Sequence, residues 1–231
     1  MIAIFSPKHY IPICQKIVRY GLPIMTLMTI FITSWICWFV PADETQGEVF
    51  RLIYLHVPMA IGALLLYLVV AGCSIMHWVL RIKVADWIAS ASAKMGATCC
   101  ALALMTGSVW GYYTWGTWWV WDARLTSFLM LFFLYLAYIA VDRASQKHLV
   151  SKQVLMIVSL IGVVDIPLIH YSVTWWQSLH QGSTLLRLSD NTMPWDMLWP
   201  LLMTIVLSAL IVTSFIARSV LHRSGHEPVS L

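Results

Sequence analysis

Val57-Pro-Met-Ala-Ile-Gly-Ala-Leu-Leu-Leu-Tyr-Leu-Val-Val-Ala-Gly-Cys-Ser-Ile-Met-His-Trp-Val-Leu80 contains no Asp, Glu, Lys or Arg. Coiled into a helix at 1.5 Å per residue it would extend about 36 Å, more than the ~30 Å hydrocarbon core of a bilayer. Apolar runs of this kind recur on both sides of it, near 21–40, 93–109, 125–141, 154–170 and 197–217. With 57–80 they predict an all-α, polytopic membrane protein of six transmembrane helices in a single membrane domain spanning 1–231. The small residues Gly96, Ala97, Ala101, Ala103 and Gly107 of the third run suit close helix packing.

Composition supports the same class. Hydrophobic residues make up 60% of the 231-residue chain and charged residues 10%, with a mean hydropathy of +0.79. A soluble domain carries about 25% charged residues, so a water-soluble enzyme and a nucleic-acid-binding domain are both disfavoured. The net charge of +4 comes without any basic run that could bind nucleic acid. Five cysteines, scattered and without a C-x-x-C pair, form neither a disulfide framework nor a thiol redox motif. The opening residues lack the pattern of a cleaved signal peptide, so the first span reads as an uncleaved anchor.

Charge also sets an expected orientation. Eleven of the fourteen Lys and Arg fall in the N-terminal segment, the loop 81–92 with Lys94, the loop 142–153 and the C-terminal tail. The other three, Arg51, Arg124 and Arg187, lie in the alternate loops, roughly 41–56, 110–124 and 171–196. The positive-inside rule places both termini in the cytoplasm and these three loops outside.

The second outer loop is unusual. Trp110-Gly-Tyr-Tyr-Thr-Trp-Gly-Thr-Trp-Trp-Val-Trp-Asp-Ala-Arg124 sets Trp115, Trp118, Trp119 and Trp121 within seven positions, followed by Asp122 and Arg124. An interfacial aromatic belt accounts for one or two such rings at a helix end. Four in one loop suggest a flat platform of apolar faces with N–H donors at their edges. Arg124 could answer anionic groups on a planar ligand bound there. The pattern by itself does not separate haem from a lipid, a quinone or a peptide.

Trp115-Gly-Thr-Trp-Trp-Val-Trp-Asp-Ala-Arg124 resembles the WWD signature of haem-handling membrane proteins that serve c-type cytochrome maturation. With its six spans and the loop between the third and fourth, the chain is most similar to the haem exporter protein C (CcmC) family. Tyr54-Leu-His-Val-Pro58, His170-Tyr-Ser-Val-Thr-Trp-Trp176 and Leu179-His-Gln-Gly-Ser-Thr184 extend the likeness over about 41–199. The two tails add no family signal.

What the resemblance implies is specific. It implies a multi-pass protein of the bacterial inner membrane that binds haem b non-covalently on its periplasmic face. The haem would be presented to a periplasmic haem chaperone. The expected partners are that chaperone, the ATPase and membrane subunits of an ABC transporter complex, a small membrane subunit and the lipid bilayer, with no nucleic acid. The resemblance assigns the axial iron positions to His56 and His180. Histidine is a common axial ligand of haem iron, and these two come from separate outer loops on either side of the tryptophan segment. For each of them taken alone a hydrogen-bonded structural role is the competing reading, and His170 is the alternative ligand. Trp115, Trp118, Trp119 and Trp121 would form the platform, with Asp122 in its scaffold. Arg51 and Arg124 are candidates for the haem propionates, and a snorkelling arginine is an equal reading of Arg51. No P-loop is present, so any ATP-driven step belongs to another subunit. A haem lyase acting on apocytochrome, a membrane b-type electron carrier and a non-haem transporter remain as rivals. Asp165, inside the fifth run, has no cation within a span to pair with.

Overall fold

A computed structural model of the protein describes residues 6–176 and 193–225. The described chain forms six long helices: α1 Pro7–Trp38, α2 Ile53–Leu80, α3 Lys83–Trp115, α4 Ala123–Gln146, α5 Lys152–Trp175 and α6 Trp195–Ser224. All six contain segments long and apolar enough to cross a membrane. Some helices exceed the apolar runs that announce them. α3 has 33 residues, about 50 Å of helix, so it projects beyond a ~30 Å hydrocarbon core.

The helix ends follow local chemistry. Pro7 opens α1, where its missing N–H would have no partner in any case. Asp122 caps α4 by accepting the Leu125 N–H at 2.7 Å, and Ser151 caps α5 by accepting that of Gln153 at 3.2 Å. α3 stops at Gly116, whose φ of +74° is open to glycine at little cost. α6 carries Asp196 in its first turn and His222 and Arg223 in its last, as the helix dipole favours.

α3 lies at the centre, packed against α2, α4 and α6, while α2 and α4 each pack on α5. The main core joins Ala63, Tyr67, Ala93, Cys100, Leu131 and Tyr135. Glycines let the large rings in. A methyl group at Gly96 would lie 2.2 Å from the Tyr135 ring, and one at Gly162 would lie 2.2 Å from Tyr67. The two tyrosines meet edge to face at 4.8 Å. Tyr135 Oη donates to the Ala63 carbonyl at 2.6 Å and Tyr67 Oη to that of Val158 at 3.1 Å, so each buried hydroxyl has an acceptor. Large apolar side chains such as Leu27, Leu65, Met105 and Val164 stay exposed on the outside of the bundle, as lipid contact requires. All five cysteines are free.

α1 is peripheral. It packs chiefly on α6, and among its described residues Ile32 alone is buried. Trp35 meets Trp199 edge to face at 5.0 Å. At the end where α3 begins and α4 and α6 finish, four helices share a polar cluster. Lys152 contacts Asp86 at 2.9 Å and Asp142 at 3.4 Å. Ser90 donates to Asp142 at 2.6 Å and accepts from Arg223 at 2.7 Å. Inside the bundle, Asp165 has a buried Oδ2 with no hydrogen-bond partner among the described residues.

Candidate functional site

The opposite end of the bundle gathers the end of α1, the start of α2, the end of α3 and the start of α4. The connection after α1 begins with a turn built on Asp43. Its Oδ1 accepts from Thr45 N at 2.9 Å, Thr45 Oγ1 at 2.7 Å and Gln46 N at 2.8 Å. These donors, the Thr45 hydroxyl first, hold the Asp43 carboxyl below the usual aspartate range. The turn closes with Gly47 at φ +60° and leads into a 3-10 segment, Glu48–Leu52.

Arg51 sits in that 3-10 segment. Its guanidinium bonds Glu48, the Ile36 carbonyl and, at 2.9 Å, the Val40 carbonyl. The first lies in the finishing turn of α1, where backbone acceptors lack intrahelical donors, and the second lies two residues beyond the helix. Arg51 therefore ties the end of α1 to the start of α2. In this arrangement its N–H groups are directed at the protein.

His56 lies in the opening turns of α2 rather than at the end of a loop, because the 3-10 segment runs directly into the helix. It is half-buried. A carbonyl oxygen can only accept, so Nδ1 carries the proton and donates to the Ala103 carbonyl at 3.0 Å. Thr106 Oγ1, which donates to the Leu102 carbonyl at 2.7 Å, accepts from the same Nδ1 at 3.2 Å. In the neutral ring this tautomer puts the lone pair on Nε2, the arrangement of a histidine oriented to bind a metal. The ring is also confined. Trp110 meets it edge to face at 5.8 Å, and a methyl group at Gly107 would lie 2.9 Å from its Cε1.

Trp110 connects this seat to the Asp43 turn. Its Nε1 donates to Gln46 Oε1 at 2.6 Å, and its ring meets Phe50 edge to face at 6.0 Å. Gln46, Thr106 and Gly107 were not visible as site residues from the sequence. Gln46 and Trp110 are 64 positions apart, and no local pattern marks a contact at that range.

The tryptophan loop is shorter than the sequence suggests. Residues 110–115 continue α3, since tryptophan and tyrosine are tolerated in a helix and the first strong break is Gly116. Trp115 closes α3 over Gly111, where an added methyl would come within 3.2 Å of the indole. The rings do not form one flat face. Trp118 stacks on Tyr112 at 4.4 Å and 17°. Trp119 and Trp121 instead meet edge to face at 5.5 Å and 73°. Trp121 is 76% exposed, whereas Trp119 is half-buried and its Nε1 is enclosed with no hydrogen-bond partner among the described residues. An unmade buried hydrogen bond costs on the order of 1–3 kcal/mol, so this N–H is a donor held ready for an acceptor. Thr117 Oγ1 donates to the Trp119 carbonyl at 3.1 Å and braces the turn.

Asp122 is 9% exposed and caps α4. Arg124 follows in the first turn of α4, half-buried. His170, near the end of α5, is exposed and packs edge to face on Tyr171 at 4.9 Å. His180 lies outside the described residues.

The sequence matches the family model described as heme exporter protein C over residues 1–227, so the likeness runs beyond the 41–199 core into both tails. The chain is 38% identical over 222 residues to the heme exporter protein C of Escherichia coli K12, covering 94% of this chain and 91% of that one. It is 38% identical over 204 residues to the Haemophilus influenzae protein of the same name, covering 87% and 81%. To that of Bradyrhizobium diazoefficiens it is 34% identical over 218 residues, covering 94% and 82%. This six-helix membrane protein belongs to the heme exporter protein C family.

Proposed function

We propose that the protein binds haem b non-covalently where α2, α3 and α4 meet at the tryptophan turn, and delivers it for c-type cytochrome maturation. The supporting observation is the His56 seat, in which the Ala103 carbonyl fixes the proton on Nδ1 and leaves Nε2 as the basic nitrogen. Family membership supplies the cargo.

The donor set fits haem. A bare metal ion needs three or more side-chain ligands, and no group of three His, Cys, Asp or Glu placed for that occurs among the described residues. A porphyrin occupies four positions on its iron, so one or two histidines complete it. His56 takes one axial position and His180 the other. Trp118 with Tyr112, and Trp119 with Trp121, give the macrocycle two differently oriented aromatic walls. Trp119 Nε1 and Arg124 serve the propionates, and Trp115 and Asp122 hold the turn that carries them. Arg51 acts one step removed, by fixing the α1–α2 junction on which His56 sits. Bound haem supplies the iron and a vinyl-bearing edge to which a partner's side chain can bond.

In this reading the basic end of the bundle faces the cytoplasm, by the positive-inside rule, and the haem end faces the periplasm of a bacterial inner membrane. A periplasmic haem chaperone receives the haem. The protein acts as the C subunit beside the ATPase and membrane subunits of an ABC transporter complex and a small membrane subunit. The test is the absorption spectrum of protein purified in detergent with haem supplied. Wild type and His170→Ala are expected to show low-spin, bis-histidine haem, while His56→Ala and His180→Ala lose it. Equal haem in all four would refute the ligand pair.

A further inference from the structure

A second site lies at the basic end of the bundle, remote from the tryptophan turn. A cavity of about 280 Å³ opens between α3 and α6, lined by Lys94 of α3 and by Phe215, Arg218, Ser219, His222 and Arg223 of α6, among others. Among the described residues no acid lines it. Arg223 is already engaged, donating to Ser90 at 2.7 Å and lying 4.0 Å from Asp142. Lys94 and Arg218 have no acid within ion-pair distance among the described residues. Two uncompensated cations that line one cavity repel each other unless an anion is shared between them.

Their depth identifies the anion. Lys94 is one helical turn beyond Ser90, and Arg218 is five residues before Arg223, so both lie about 6–8 Å deeper into the bundle than the polar cluster. Beyond Lys94 the chain carries no Asp, Glu, Lys or Arg until Asp122, and before Arg218 none back to Asp196. Both cations thus mark the edge of the hydrocarbon, the level of lipid headgroups. Phe215, 40% exposed, stands about one turn further in. We propose that this cavity binds the phosphate of an anionic phospholipid, held between Lys94 and Arg218 with an acyl chain running over Phe215. A guanidinium offers paired N–H donors to phosphate oxygens and an ammonium a compact charge. Basic pockets between transmembrane helices at a cytoplasmic face are suited to such headgroups. A free phosphate would meet the same two cations but would leave Phe215 unused.

The test is native mass spectrometry of the full chain in detergent with phosphatidylglycerol and phosphatidylcholine of identical acyl chains. Wild type is expected to retain phosphatidylglycerol preferentially. Lys94→Gln/Arg218→Gln should weaken that retention about thirty-fold, each cation near the surface being worth about fivefold. Lys94→Arg/Arg218→Lys should preserve it, and Lys147→Gln, a basic residue at the same end but outside the cavity, should not change it. If the double glutamine variant fails to fold, Arg218→Gln alone carries the test with about a fivefold loss. Equal retention of the two lipids by wild type, or undiminished retention by the glutamine variants, would overturn the proposal. So would protection of the site by millimolar inorganic phosphate without any lipid preference, which would assign it to a free anion.

Discussion

Gly107→Ala tests whether the seat of His56, and not merely its presence, governs haem retention. The added methyl would lie 2.9 Å from Cε1, 3.4 Å from Nδ1 and 3.9 Å from Nε2. Carbon atoms settle at about 3.5–4.0 Å, so the ring must withdraw by roughly half an ångström to one ångström. That movement opposes the Nδ1 bonds to Ala103 and Thr106, at 3.0 and 3.2 Å, and Trp110 blocks another direction. Overpacking of this kind costs about 1–3 kcal/mol. If the strain falls on the bound geometry, haem binds about 5- to 150-fold more weakly. Gly72→Ala is the control, since nothing lies within 4 Å of a methyl there. The assay is transfer of haem from purified protein to an apoglobin acceptor, followed by Soret absorbance, with thermal unfolding by circular dichroism alongside. Gly107→Ala should release haem faster than Gly72→Ala at a comparable unfolding temperature. Release at the wild-type rate, while His56→Ala holds no haem, would refute the idea that this seat positions the ligand.

The core tyrosines give a separate expectation: Gly96→Ala and Gly162→Ala drive a methyl to 2.2 Å from fully buried Tyr135 and Tyr67. Each should lose about 1–3 kcal/mol of stability, read as a lower thermal midpoint in detergent. Asp122→Ala should cost about 1 kcal/mol through loss of the α4 cap while Asp122→Asn retains most of it, and hydrogen exchange at Leu125 would report the difference. For Asp43, whose folded-state value lies below its ordinary 3.8, the contribution to the turn is complete above that ordinary value. It is lost as pH falls through the lower folded one. Exchange at the Thr45 and Gln46 amides should therefore be flat near neutrality and rise only in strong acid, once the intrinsic pH dependence of exchange is removed, and in Asp43→Asn that acid rise should vanish.

The six helices were legible because a run of about twenty residues with at most one charge can satisfy its backbone within itself in a bilayer only as a helix. Their ends were harder to read. Trp110–Trp115 look like loop because aromatic residues crowd at interfaces and Gly111 weakens a helix, yet α3 carries Gly111 buried within it and stops only at Gly116, where φ turns positive. His56 was recognisable as a candidate, but its support from Ala103, Thr106 and Gly107 arises from the packing of α2 on α3. Arg51 looked like a ligand contact because an outer arginine near a haem motif invites a propionate. Its contacts with the Ile36 and Val40 carbonyls at and just beyond the end of α1 have no local signal in the sequence. Adjacent tryptophans suggested a single plane, whereas a tight turn rotates successive side chains, which places Trp118 and Trp119 on different walls. The α4 cap at Asp122 is legible in sequence, since an acid just before an apolar run is a helix-capping signal that needs no tertiary information.

The peripheral placement of α1 has a consequence for biogenesis. α1 finds its chief neighbour in α6, so its packing against the bundle is completed only after α2 to α5 have been made and α6 emerges. The closing seam, where Trp35 meets Trp199 and Tyr54 donates to the Met197 carbonyl at 3.1 Å, lies at the same end as the His56 seat. A nascent chain halted before α6 would carry the tryptophan turn without this brace, which arrives with α6. Bracing of the His56 end is in this way deferred until α6 has been made.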